Sequence, residues 1–100
     1  MVIGILDDKP YQKMLESLLP LANNIIFTRA KIDRSLAPEV LKTAAEKICT
    51  ASITIIEDVK DAVAHAVSTT DKKDAVCIAG SLYVAGEARD YLLDLKNRQI

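Results

Sequence analysis

Two short clusters in this chain carry side chains that can do chemistry. Asp7-Asp8-Lys9 follows the apolar run Val2 to Leu6, and Gly80-Ser81 follows the apolar run Ala75 to Ala79. A lysine in such a place is a mobile point charge that can pair with a carboxylate or a phosphate. Gly80-Ser81 runs straight into a helical pattern, with a second small residue, Gly86, in its early turns. A helix start of that kind offers free backbone N–H groups and a hydroxyl to an anion. Lys9 and Ser81 are therefore the candidate anion-holding residues, with Asp7, Asp8, Gly80 and Leu82 in support. Each also has a plainer role. Asp8 can cap the first helix within a solvated turn, and Ser81 can serve only as an N-cap. The two roles of Ser81 are compatible, because a helix N-terminus that caps itself still attracts negative charge. The stretch Gly80 to Gly86 lacks the Gly-Lys-Ser/Thr ending of a P-loop, and no other stretch supplies one. No triphosphate and no Mg²⁺ is expected to be held by this chain alone.

The remaining reactive side chains read as structural. His65, the single histidine, falls on a helical pattern with no identifiable acidic or nucleophilic partner. Cys49 and Cys77 fall in different elements, without CxxC spacing or a histidine cluster, and read as reduced, partly buried thiols. No metal site is expected. Thirteen basic against fourteen acidic residues give a formal charge of −1 without a basic run, so the footprint of duplex binding is absent. No apolar run reaches the ~18 residues of a membrane span. The N-terminus lacks the basic segment of a secretory signal, and a cytosolic setting is expected.

The elements that must position the two clusters follow from periodicity. The 100 residues, half of them apolar and 4% aromatic, suit one domain with an aliphatic core. Strands are expected at Val2–Leu6, Ile25–Thr28, Ile53–Ile56 and Ala75–Ala79. The first helix opens near Pro10, carries Tyr11, Met14, Leu15, Leu18 and Leu19 on one stripe, and is limited by Pro20. A polar loop spans Arg29 to Leu36. The second helix opens at Pro38, with Val40, Leu41, Ala44, Ala45 and Ile48 facing inward. Glu57 or Asp58 can cap the third helix, which buries Val59, Ala62, Val63 and Ala66. Asp71 to Lys73 form a charged turn, and the last helix is expected to bury Leu82, Ala85, Ala88, Leu92 and Leu95. Four strands alternating with four helices predict a three-layer α/β/α, Rossmann-like fold with a parallel sheet. The simplest doubly wound order is 3-2-1-4. Its switch point lies between strands one and four, which brings Asp7-Asp8-Lys9 and Gly80-Ser81-Leu82 to one crevice. A rival arrangement is a phosphoacceptor receiver, with Asp7, Asp8, Asp58 and Ser81 as its polar pocket. It requires strand three beside strand one.

Four segments carry a resemblance to a known family. Gly4-Ile5-Leu6-Asp7-Asp8-Lys9 resembles the glycine, apolar pair and Asp-Lys-Asp of folylpolyglutamate and dihydrofolate synthases, members of the Mur ligase superfamily. Pro10 stands where that family often has a second aspartate. Leu19-Pro20-Leu21-Ala22 followed by Ile26-Phe27-Thr28-Arg29 resembles a second family stretch. Arg34-Ser35-Leu36-Ala37-Pro38-Glu39 resembles its Arg-Ala-x-x-Pro-Glu loop, and Gly80-Ser81-Leu82-Tyr83-Val84-Ala85-Gly86-Glu87 its last motif. The order and spacing agree across nearly the whole chain.

The resemblance implies a place in folate metabolism. The intact enzyme uses ATP and Mg to form an acyl phosphate on folate, which the amine of glutamate attacks. Related ligases hold the incoming amino acid through a lysine and a serine at positions matching Lys9 and Ser81. The family's Asp-Gly-Ala-His-Asn-Pro strand and its N-terminal ATPase domain are not among these residues. The chain is accordingly expected to be one subdomain, residues 1–100, of a larger C-terminal domain, and inactive alone. That leaves Ala75–Ala79 as an apolar open edge, through which a homodimer is expected. A ligand-free scaffold is the remaining alternative.

Overall fold

The computed structural model describes residues 1–49, 51–71 and 75–98, without the side chains of Leu82 and Arg98. Its strands are β1 (Val2–Ile3), β2 (Asn24–Arg29), β3 (Ser52–Asp58) and β4 (Ile78–Ala79). Its helices are α1 (Tyr11–Leu18), α2 (Pro38–Glu46), α3 (Val59–Thr69) and α4 (Leu82–Arg98), with a 3-10 turn at Leu19–Leu21. The strands form one parallel sheet in the order β3-β2-β1-β4. This is the doubly wound order, and β2 separates β3 from β1, so the receiver topology is excluded.

The sheet is covered on both faces, as its aliphatic strands require. Ile3, Ile5, Ile25 and Phe27 face α1 and α2, where Leu15, Leu19, Leu41 and Ala45 complete a buried cluster. Val2 and Ile26 face α3 through Ala62 and Ala66. Val59, Val63, Val84 and Ala88 join α3 to α4. Thr28, the buried polar residue of β2, donates its hydroxyl to the Glu57 carbonyl at 2.9 Å, so its burial leaves no hydroxyl proton unmatched.

The first strand is expected to run to Leu6, but its ladder stops at Ile3. The buried run Gly4 to Leu6 is paired differently. The loop after β2 folds back beside it: Leu36 donates to the Ile5 carbonyl at 2.9 Å and Asp7 to the Arg34 carbonyl at 2.7 Å. Leu6 and Ser35 form an isolated antiparallel bridge. β4 is likewise shorter than Ala75–Ala79, because its partner stretch on β1 begins only at Val2.

Two inward stripes also need correction. On α2 the buried residues are Pro38, Leu41 and Ala45, while Val40 and Ile48 are 41% and 48% exposed. On α4 the buried residues are Val84 and Ala88, while Ala85 and Leu92 face outward. The phase of α4 is set at its start, where Val84 lies over Gly4, just past β1, which has no side chain to obstruct it. Leu82, expected inside, falls on a side chain outside the described part, as do Lys72 and Lys73 of the expected turn. Neither Asp8 nor Asp58 makes a capping bond, although Asp58 occupies the N-cap position of α3. Cys77 is exposed rather than partly buried, and Cys49 is half-buried. Among the described residues, no helix is long and apolar enough to cross a membrane.

Candidate functional site

The two candidate segments are chain reversals that follow the adjacent parallel strands β1 and β4. Downstream of β1, Leu6 accepts from the Lys9 amide at 3.2 Å and Lys9 accepts from the Tyr11 amide at 2.8 Å. These bonds make a tight turn that holds Lys9 just ahead of α1 and leaves its ammonium exposed. Among the described residues Lys9 makes no ion pair, so its charge is available to a ligand.

On the neighbouring strand, Gly80 adopts φ +111°. A β-carbon there would lie 2.3 Å from the Gly4 carbonyl oxygen, so only glycine lets the end of β4 press against β1. The chain then enters α4 with Ser81 as its cap. Ser81 Oγ accepts from the Val84 N–H at 3.1 Å, and the Ser81 carbonyl accepts from Ala85 at 3.1 Å. In accepting, the Ser81 hydroxyl keeps its own proton free to donate. The expected capping role is thus present, and it does not consume the donor an anion needs. Gly86, in contrast, has open space where a β-carbon would be.

Lys9 and Ser81 therefore leave parallel neighbours at the same end of the sheet, on either side of the switch point. Asp7 is fixed through its amide to Arg34, and the Asp8 carboxylate lies 3.6 Å from the Arg34 guanidinium. Arg34 was legible only as part of a polar loop. Its place beside Asp8 depends on the fold-back of residues 34–36, which no local spacing signals.

A second polar cleft, of about 540 Å³, lies at the carboxyl ends of β2 and β3. Arg29 pairs with Glu57, and Lys31 Nζ lies 3.6 Å from Asp58 Oδ1. Glu87 of α4 accepts the Lys31 amide at 2.8 Å. Asp58, assigned to the rival receiver pocket, sits here, apart from Asp7 and Asp8. The described residues contain no cluster of side chains able to hold a metal ion.

The family described as "Mur ligase, glutamate ligase domain" matches residues 1–82. The chain belongs to this family. As a Mur ligase glutamate ligase domain it has curated and structural relatives. It is 32% identical over 89 residues to a probable bifunctional folylpolyglutamate synthase/dihydropteroate synthase of Haloferax volcanii, covering 89% of this chain and 10% of that protein. It is also similar to the Mycobacterium tuberculosis folylpolyglutamate synthase crystallised with ADP and AMPPCP. That match has TM-score 0.74 and 28% identity, over 89% of this chain and 22% of that one. A further structure of the mycobacterial enzyme, with ADP, shares the fold at TM-score 0.73 and 24% identity, over 91% and 22%. The domain thus spans a small part of the proteins it matches.

Proposed function

We propose that residues 1–100 form the glutamate-positioning subdomain of a folylpolyglutamate synthase-like ligase, which adds glutamate to folate at the expense of ATP. What supports this reading is that Lys9 and the capped start of α4 follow two neighbouring parallel strands, β1 and β4, in a chain of the glutamate ligase family. The relatives of known structure were solved with adenine nucleotides. ATP with Mg is assigned to an ATPase domain of the complete ligase, where it activates the folate carboxyl group that receives glutamate.

The chemistry of this chain is orientation. The Lys9 ammonium supplies a mobile charge for a glutamate carboxylate, and the Ser81 hydroxyl with the first N–H groups of α4, including that of Leu82, supplies directed donors. Gly80 permits the backbone to come close enough for both to act together. Asp7 and Asp8 hold the loop in place through Arg34 rather than touching the anion. Together these groups fix where the glutamate amine points, which is the contribution of proximity to an acyl-transfer step. The two free thiols fit a cytosolic setting.

The test is made in the complete ligase. A charge-assisted contact is worth about 1.5–3 kcal/mol. Lys9→Met is therefore expected to raise the KM for glutamate by roughly 10- to 100-fold, with the KM for ATP little changed. An unchanged glutamate KM, or an equal loss for ATP, would reject the assignment.

A further inference from the structure

The loop after β2, residues 30–36, is bonded to both chain segments that carry the candidate site. At its far end it pairs with the stretch beyond β1. Leu36 donates to the Ile5 carbonyl at 2.9 Å, and the Arg34 carbonyl accepts from Asp7 at 2.7 Å. These bonds hold the residues from which the Lys9 turn departs. At its near end the loop is held by α4. Ala30 is buried in the cluster that contains Val84 and Ala88. Glu87, next to Ala88 on α4, accepts the Lys31 amide through Oε2 at 2.8 Å. The loop is also tied to itself. The Ala30 carbonyl accepts from the Ser35 hydroxyl and from the Ile32 amide, each at 2.9 Å, and the Ser35 amide donates to the Ile32 carbonyl at 3.2 Å. Such internal bonding makes the segment a strap, not a slack connection.

We propose that Glu87 is a positioning residue for the glutamate site: by holding the Lys31 amide it seats the strap, and the strap sets where the Lys9 turn lies relative to the start of α4. The inference rests on the assignment of Lys9 to a glutamate carboxylate. Ser81 and Glu87 stand at the start and in the second turn of one helix, so the support of Lys9 is fastened to the element that carries the other donors. Glu87 does not itself reach a ligand. Its Oε2 is on Lys31, and its Oε1 is shielded from solvent. A backbone N–H on a carboxylate is among the stronger hydrogen bonds, which suits a fastening point. What the strap requires of Glu87 is an acceptor oxygen. Glutamine keeps one at the same reach, whereas alanine has none.

The experiment uses the complete ligase that carries this domain. Glu87→Ala, Glu87→Gln and Lys9→Met are compared by steady-state kinetics and by hydrogen exchange read by mass spectrometry. Alanine is the best helix former, so α4 is kept in the first variant. Glu87→Ala should speed exchange across residues 31–36 and 5–9 by roughly tenfold. It should raise the KM for glutamate by roughly 3- to 10-fold, with the KM for ATP unchanged. Glu87→Gln should recover most of both effects. Faster exchange without a change in glutamate KM overturns the proposal, since the strap would then be structural only. So does a raised KM with exchange at 5–9 unchanged, or a Glu87→Gln variant as impaired as Glu87→Ala, because either would mean that the charge acts directly. Should Glu87→Ala fail to fold, Ser35→Ala, which cuts the strap's own bond to Ala30, must show the same pair of effects or the proposal falls. Lys9→Met separates the two levels. If it raises the glutamate KM while Glu87→Ala does nothing, this inference alone fails. If it leaves the glutamate KM unchanged, the underlying assignment of Lys9 fails and takes the inference with it.

Discussion

Gly80→Ala should be among the most damaging substitutions in this chain, and its cost can be worked from two features of the structure. The first is the backbone. At φ +111° the residue lies well outside the left-handed well near +60° that some side chains tolerate, a strain of about 1–3 kcal/mol. The second is contact. The new β-carbon would lie 2.3 Å from the Gly4 carbonyl oxygen and 3.0 Å from its carbon. Both atoms are backbone, and Gly4 is itself bonded to Ala79, so neither can swing away as a side chain tip would. Overpacking of this sort costs about 1–3 kcal/mol more. The expected loss is about 4 kcal/mol, against a total stability of ~5–15 kcal/mol for a chain of this size. The melting temperature should fall by roughly 15–30 °C. Gly86→Ala is the matched control. It sits inside α4 with nothing within 4 Å of the added carbon, so helix propensity alone should decide, for a gain of about 0.5–1 kcal/mol. Urea unfolding followed by circular dichroism measures both. If Gly80→Ala unfolds within about 1 kcal/mol of the parent, or if the two variants behave alike, the close approach of β4 to β1 that shapes the crevice is wrong.

Two smaller tests accompany it. Ser81→Ala removes the oxygen that receives the Val84 N–H and should cost about 1 kcal/mol in the same unfolding assay; no loss would mean that Ser81 does not cap α4. The chain alone, lacking a P-loop, should release no ADP in the presence of ATP, folate and glutamate. Release abolished by Lys9→Ala would show that it is an enzyme by itself.

Most of the scaffold was legible because it rests on periodicity. Four apolar runs separated by amphipathic stretches leave little choice but an α/β sheet, and short connections favour the order found. Pro20 and Pro38 marked a helix end and a helix start correctly, since the missing N–H and fixed φ act locally. The misreadings have a common cause in long-range contact. Val84, not Ala85, faces inward because Gly4, eighty residues away, leaves room for it. The end of the first strand was overextended because residues 34–36 take its bonds. At the site, Gly80-Ser81 announced itself through residue type. The pairing of Asp8 with Arg34 did not, because it depends on how a polar loop folds back over the sheet.

The central claim is that the switch point between β1 and β4 holds a carboxylate. Its most direct test is an NMR titration of this chain with glutamate. One lysine and a few N–H groups, without a partner domain, should give millimolar affinity, about 4 kcal/mol. The amides of Lys9, Ser81 and Leu82 should shift first and together, and Lys9→Met should abolish the response. Shifts centred on Arg29, Lys31 and Asp58 in the neighbouring cleft, or none at concentrations well above the millimolar range, would contradict it.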